Sequence, residues 1–218
     1  MEQFIMKKTL LGSLILLAFA GNVQAQPNAD TKGTVTFFGK VVENTCKVKM
    51  ENRNMSVVLN DVGKVHLSQK GNTAMPTPFT ITLGSCNTNI ANSGNKPKAT
   101  KVGVYFYSWK NTDDKNDFTL KNIHQDNNDK ADNVNIQLFK DNGTDAIEVV
   151  GKETEDFVHK NDANNQSVIT KNHISGATEL NGKTGDIALH YIAKYYSTGN
   201  DVTAGKVQSS VDFQIAYE

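Results

Sequence analysis

The chain has 218 residues, with 23 basic and 23 acidic side chains and a net charge of zero. That balance excludes a nucleic-acid partner held by clustered positive charge. Arg53 is the only arginine, which excludes a site built on several bidentate guanidinium contacts to phosphate or carboxylate.

Taken from the first residue, Lys7 and Lys8 precede an apolar run over residues 10–20. The run is shorter than the roughly 20 residues a bilayer-spanning helix needs. Val23-Gln24-Ala25 then supplies small residues at the −3 and −1 positions of a cleavage site. Residues 1–25 are therefore expected to be a signal peptide, with Gln26 as the new N-terminus and export into an oxidising space. Met6 is an alternative start for the same signal.

Residues 26–32 are polar and contain Pro27, a composition that suits a tail without structure of its own. Beyond them Gly33, Val35, Phe37, Gly39 and Val41 alternate with Thr34, Thr36, Phe38 and Lys40. Such alternation belongs to a strand with one buried face. The residues alone leave two readings open, the first strand of an ordinary sandwich or a segment that inserts elsewhere.

Cys46 and Cys86 are the only cysteines. In an exported chain they read as one disulfide, with two free buried thiols as the alternative. The bridge would close a loop of about 40 residues, contributing on the order of 3–4 kcal/mol in the chain-entropy model.

Further alternation predicts strands at residues 79–83, 102–106, 134–139, 188–196 and 207–217. Gly71-Asn72, Asp141-Asn142-Gly143, Asn181-Gly182 and Gly199-Asn200 supply turn chemistry between them. Short strands with this punctuation predict an all-β antiparallel sandwich or barrel, and no long amphipathic helix is seen. Residues 110–132 and 151–185 are dense in Asn, Asp and Lys. They are expected to be long hairpins or surface excursions within one domain, because apolar strands resume on both sides.

Chemistry-bearing motifs are scarce. His66, His124, His159, His173 and His190 have no zinc-motif spacing. Neither a phosphate-binding glycine loop nor a G-x-S-x-G elbow occurs. Residues 126–132 resemble a calcium loop, but Ala131 stands where glycine makes the turn and Gln137 where a bidentate Glu is needed. The chain is therefore expected not to be an enzyme and to carry no metal or cofactor.

The last fifteen residues hold the positive signal. Val207, Val211, Phe213, Ile215 and Tyr217 fall on one face, interrupted by Ser209. A strand at a terminus frays unless something ties it down, and its backbone groups need partners. With Gly205, the penultimate Tyr217 and this alternation, the segment resembles the terminal strand of chaperone–usher pilins. The aromatic run Ile192-Ala193-Lys194-Tyr195-Tyr196, the placement of Cys46 and Cys86, and residues 134–139 followed by Asp141-Asn142-Gly143 are similar to that family as well. The likeness is nearest to the type 1 major-subunit group.

The resemblance implies an incomplete immunoglobulin-like β-sandwich, spanning residues 40–218, that is completed by a donor strand from another subunit. Residues 26–39 would be the donor extension, with Gly33, Val35, Phe37 and Gly39 facing the core of the next subunit. Gly205, Val207, Val211, Phe213, Ile215 and Tyr217 would form the acceptor groove and the surface that a periplasmic chaperone first covers. The implied partners are neighbouring subunits, that chaperone and an outer-membrane usher, and the implied location is an extracellular fimbrium. The two polar stretches make the chain longer than the usual subunit. They leave room for a second reading, a minor or tip subunit that binds host glycan, with Tyr105, Tyr107 and Trp109 available to stack on sugar. An unrelated exported β-sandwich enzyme is the third reading, and the empty motif search weighs against it.

Overall fold

The computed structural model describes residues 33, 35, 37, 41–42, 46–86, 99–154, 157–161, 167–171, 174–180, 183 and 185–218. The expected signal peptide, the polar residues 26–32 and Gly39 lie outside the described residues. The chain divides into two units, Met1–Gly39 and Lys40–Glu218. In the first, Gly33, Val35 and Phe37 belong to no strand, and Val35 and Phe37 are 77% and 89% exposed. The predicted strand through Val41 is not formed in the described residues, and Val41 too is exposed. Their alternation is that of a strand with a buried face, yet none of these apolar side chains is buried.

The second unit is β-rich. Its strands are β1 (Lys47–Val48), β2 (Thr73–Gly84), β3 (Lys101–Tyr107), β4 (Thr112–Asp113), β5 (Thr119–Leu120), β6 (Val134–Lys140), β7 (Ala146–Ile147), β8 (Phe157–Asn161), β9 (Ser167–Lys171), β10 (Ile174–Glu179), β11 (Ile187–Ser197) and β12 (Asp212–Tyr217). One helical turn, α1 (Met50–Arg53), follows β1, and a 3-10 turn (Lys64–Leu67) precedes β2. The larger sheet has the order β1-β2-β11-β6-β5-β4, with β7 also paired to β6. The smaller has the order β10-β3-β12, and β8 and β9 form a separate hairpin.

Register follows from the period-two pattern. Phe79, Ile81 and Leu83 of β2 stand opposite Tyr191, Leu189 and Ile187 of β11. Phe213, Ile215 and Tyr217 of β12 stand opposite Phe106, Val104 and Val102 of β3. These inward faces meet in one core across the two sheets. Tyr191 is fully buried at its centre, edge-to-face with Phe106 at 5.0 Å and 5.5 Å from Phe79. Its hydroxyl crosses between the sheets and donates to the Ser175 carbonyl at 3.0 Å. Burial pushes this phenol well above the ordinary tyrosine range. Gly176 makes the crossing possible: its φ is +63°, and a Cβ there would lie 2.8 Å from the Tyr191 oxygen.

Three sequence expectations need correction. The C-terminal strand begins at Asp212 rather than Val207, because β3 ends at Tyr107, the partner of Asp212. Residues 174–179 form β10, a full strand within the second polar stretch, whose hairpin is β8–β9. Residues 110–132 hold a β4–β5 hairpin, one of the two forms expected for them, and are not a surface excursion. They supply β4 and β5 to the larger sheet and bury Asn111, Thr112, Thr119, Leu120 and Asn122. Buried Asn135 of β6 donates to Asp113 at 2.9 Å and to Thr119 Oγ1 at 2.8 Å. Most polar groups that enter the interior here find a hydrogen-bond partner, while Asn111 Oδ1 and Asp114 Oδ1 are buried without one.

Candidate functional site

Between residues 54–61 and residues 205–213 lies an open groove of about 1050 Å³. Its floor is formed by core side chains, Phe79 and Ile136 half-buried and Ile81, Phe106, Leu120 and Leu138 buried beneath them. Its two walls reach their positions differently.

The first wall leaves α1. Asn52 anchors that turn to β2: its carboxamide donates to the Thr80 carbonyl at 3.1 Å and accepts from the Thr82 amide at 2.9 Å. Beyond it Met55, Val57 and Leu59 are half-buried, while Ser56, Val58 and Asn60 are exposed. Among the described residues, the backbone of residues 55–62 makes no hydrogen bond. The segment therefore has a strand's alternation but lacks a strand's pairing. Val62 closes the end of this wall on Leu67, Ala131 and Val134, and Val207 of the second wall packs on the same cluster.

The second wall runs from Gly205 to Phe213. Its sequence-predicted residues Val207, Val211 and Phe213, with Ser209, are half-buried, while Gln208, Ser210 and Asp212 are exposed. Gly205 lies at its start because the chain passes so close: a Cβ there would be 2.5 Å from the Ala131 nitrogen and 2.6 Å from the Lys130 carbonyl carbon. From Asp212 onward the strand pairs with β3 alone, so β12 is an edge of its sheet. Ile215 and Tyr217 continue the same face beyond the groove and pack on the core.

Each end of the groove carries polar contacts. At the Lys206 end, Asp129 accepts from Lys206 Nζ at 2.6 Å and meets His124 Nε2 at 2.7 Å. The Lys206 hydrogen bond, then that of His124, holds the Asp129 carboxyl below the usual carboxylate range. At the Tyr217 end, the phenolic oxygen accepts from the Cys46 amide at 2.7 Å. Cys46 is joined to Cys86 by a disulfide across a separation of 40 residues. Burial raises the Tyr217 phenol above its ordinary value.

The other candidates are dispersed. His66 lies in the 3-10 turn, and His190 shares a 3.0 Å hydrogen bond with Thr80. The side chain of His159, and His173 altogether, lie outside the described residues. Among those residues, no three His, Cys, Asp or Glu side chains gather as a metal set. Tyr105 and Tyr107 stack at 5.8 Å on β3, and Trp109 beyond them is exposed. All three lie apart from the groove floor, on the outward side or past the end of the strand, except that Tyr107 contributes to the rim.

A trough with unpaired backbone along both sides has room for one extended segment. The nine residues of the second wall span roughly 30 Å at about 3.3 Å per residue, so the occupant would be an extended segment of similar length. The first wall was not anticipated from the sequence. Its only signal is the short alternation Met55-Ser56-Val57-Val58-Leu59, which is broken by Val58 on the exposed side.

Comparison with known proteins shows what the chain is similar to. A family model described as "Fimbrial protein" matches residues 32–218. A "Major fimbrial subunit" of Haemophilus influenzae is 70% identical over 215 residues, 97% of this chain and 100% of that protein. The "F17 fimbrial protein" of Escherichia coli is 35% identical over 189 residues, 85% of this chain and 87% of that one. Among solved structures, a chain of a chaperone–usher pilus matches with a TM-score of 0.54 and 20% identity, covering 86% of this chain and 96% of its own. At that identity the likeness concerns the fold, an immunoglobulin-like pilin sandwich.

Proposed function

Since this chain belongs to the fimbrial protein family and is a structural subunit of an extracellular fimbria, we propose that it polymerises by accepting a neighbour's N-terminal strand in the groove between residues 54–61 and 205–213. The carrying observation is the pair of unpaired backbone edges facing one apolar floor. Burying polar backbone without partners is costly, and the half-buried Phe79, Ile136, Val207, Val211 and Phe213 gain hydrophobic stabilisation when covered. One inserted strand answers both needs through main-chain bonds on its edges and side chains on its face.

The donor is the segment 26–39 of the next subunit. Gly33, Val35, Phe37 and Gly39 share one face of an extended chain. Val35 and Phe37 are exposed apolar side chains, and burying each contributes about 1.5–3 kcal/mol. The flanking glycines fit shallow parts of the groove where the donor backbone approaches its floor. On the acceptor, Val207, Val211 and Phe213 shape the wall, and Gly205, Ile215 and Tyr217 fix its two ends.

Before assembly the groove needs a temporary occupant. A periplasmic chaperone supplies it, and an outer-membrane usher is where the exchange takes place. Residues 1–25 direct the chain to that compartment, where Cys46 and Cys86 oxidise. The chain has no catalytic step of its own, since strand exchange makes and breaks only non-covalent contacts.

The test is deletion of residues 26–38 in cells that express the subunit with its chaperone and usher. The shortened subunit should still be captured by the chaperone and should not form fibres. Fibres of normal length and number would refute strand donation.

A further inference from the structure

The groove wall before β12 has no neighbouring strand, yet it keeps strand geometry. We propose that Asn122 is the positioning residue that holds this stretch in place and so prepares it to accept a strand. The proposal rests on the strand-acceptance reading above.

The carboxamide of Asn122 is 9% exposed and uses its full hydrogen-bonding capacity on backbone. Nδ2 donates to the Ala131 carbonyl at 2.8 Å and to the Lys206 carbonyl at 2.9 Å. Oδ1 accepts from the His124 amide at 3.1 Å and from the Gln208 amide at 3.0 Å. Main-chain bonds continue the pattern: Ile123 N to Gln208 O at 2.7 Å, Ala131 N to Lys206 O at 3.0 Å, and Lys206 N to Asp129 O at 2.6 Å. Asn111 extends it, donating to the Ser210 carbonyl at 2.9 Å.

The parity of these bonds has a consequence. In an extended chain, the N–H and C=O of one residue point to one side and those of the next to the other. Lys206, Gln208 and Ser210 turn theirs toward the polar segment 111–131. Val207, Ser209 and Val211 therefore present theirs on the opposite edge, and among the described residues they make no backbone hydrogen bond. Asn122 and its surroundings thus substitute for a neighbouring strand on one edge and leave the other edge ordered and vacant. An acceptor edge held straight in advance loses less conformational entropy on capture.

The test uses the full-length subunit released from its chaperone, with a synthetic peptide of residues 26–40 as donor. Peptide affinity and site-resolved amide exchange are measured for the native chain, Asn122→Ala and Asn122→Asp. In Asn122→Ala the amides of Lys206, Gln208 and Ala131 should lose protection while those of β3 and β12 keep it. Peptide affinity should fall at least tenfold. Asn122→Asp keeps the two acceptor contacts but sets a carboxylate oxygen against the Ala131 and Lys206 carbonyls, so its affinity should fall at least as far as that of Asn122→Ala. Native affinity in both variants, or loss of protection throughout β3 and β12, would overturn a positioning role. Failure of the native subunit itself to take up the peptide would remove the strand-acceptance reading, and this proposal with it.

Discussion

The phenolic oxygen of Tyr217 sits 2.7 Å from the backbone nitrogen of Cys46, and it ties the last strand of the chain to the first. The contact spans 171 residues of sequence. It joins the edge strand of the smaller sheet to the disulfide that locks β1 beside β2. Beyond the groove, the start of β1 is therefore held covalently to the end of β2 and by a single hydroxyl to β12.

Tyr217→Phe should keep the ring packed on the core and lose that hydrogen bond. The expected cost is roughly 0.5–1.5 kcal/mol, read from denaturant unfolding of the peptide-completed subunit. The raised phenol also predicts an alkaline limb. The neutral phenol is the form the fold favours, so its contribution is complete below the ordinary tyrosine value near pH 10 and is lost as pH rises through the higher folded value. Tyr217→Phe should weaken that limb.

Gly205→Ala should be strongly disruptive for a one-carbon change. The new methyl would approach the backbone of residues 129–131 at 2.5–2.7 Å, and backbone cannot swing aside as a flexible side chain does. A loss of about 1–3 kcal/mol is expected. It should be accompanied by increased amide exchange at Lys206 and Ala131, whose bonds to the opposite segment depend on that approach.

Replacing both cysteines, Cys46→Ser with Cys86→Ser, should cost on the order of 3–4 kcal/mol through the larger entropy of the unfolded chain. The loss should lower the midpoint of denaturant unfolding and raise its slope, because the unfolded chain without the cross-link exposes more surface. Peptide uptake should weaken as well, because the cross-link no longer holds the backbone amide of residue 46 in place for Tyr217.

The Asp129 clasp predicts acid sensitivity confined to one end of the groove. Its carboxyl is held below the usual value by Lys206 first and His124 second. A depressed folded value means that the contribution is present above the ordinary aspartate value of 3.8 and is lost as pH falls through the lower folded value. Amide protection at Lys206 should fall in that window while protection in β3 persists. Asp129→Asn should remove the dependence.

Phe37→Asp and Val35→Asp should leave the subunit's own stability within about 0.5 kcal/mol, as expected for exposed positions. Polymerisation should nevertheless fail, because the same side chains must enter a neighbour's apolar floor. A growing fibre in the presence of Phe37→Asp subunits alone would contradict the proposed donor face.

Much of the fold is legible in the sequence because strands print their geometry as alternation. Residues 79–83, 102–106, 134–139 and 188–196 all lie in strands, and Phe213, Ile215 and Tyr217 face the core as their spacing predicts. The family resemblance likewise rests on local patterns: the C-terminal alternation, Gly205, the penultimate tyrosine and the two cysteines. Less legible is where that alternation stops being a ladder. Val207 and Val211 keep the right face, but the loss of pairing before Asp212 depends on where β3 ends, a fact of another part of the chain.

The sequence by itself determined a β-sandwich and the apolar face of its terminal strand, because side-chain period is a local property of extended backbone. Only the tertiary structure decided what the polar stretch 110–132 is for. By composition it reads as solvated surface. In three dimensions Asn111 and Asn122 meet the backbone of residues 206–210, nearly a hundred positions away, and their carboxamides act where a strand is missing. The first groove wall at residues 55–62 was decided the same way. Whether a backbone edge is paired or vacant depends on what the rest of the chain brings to it, and no local pattern of residues records that.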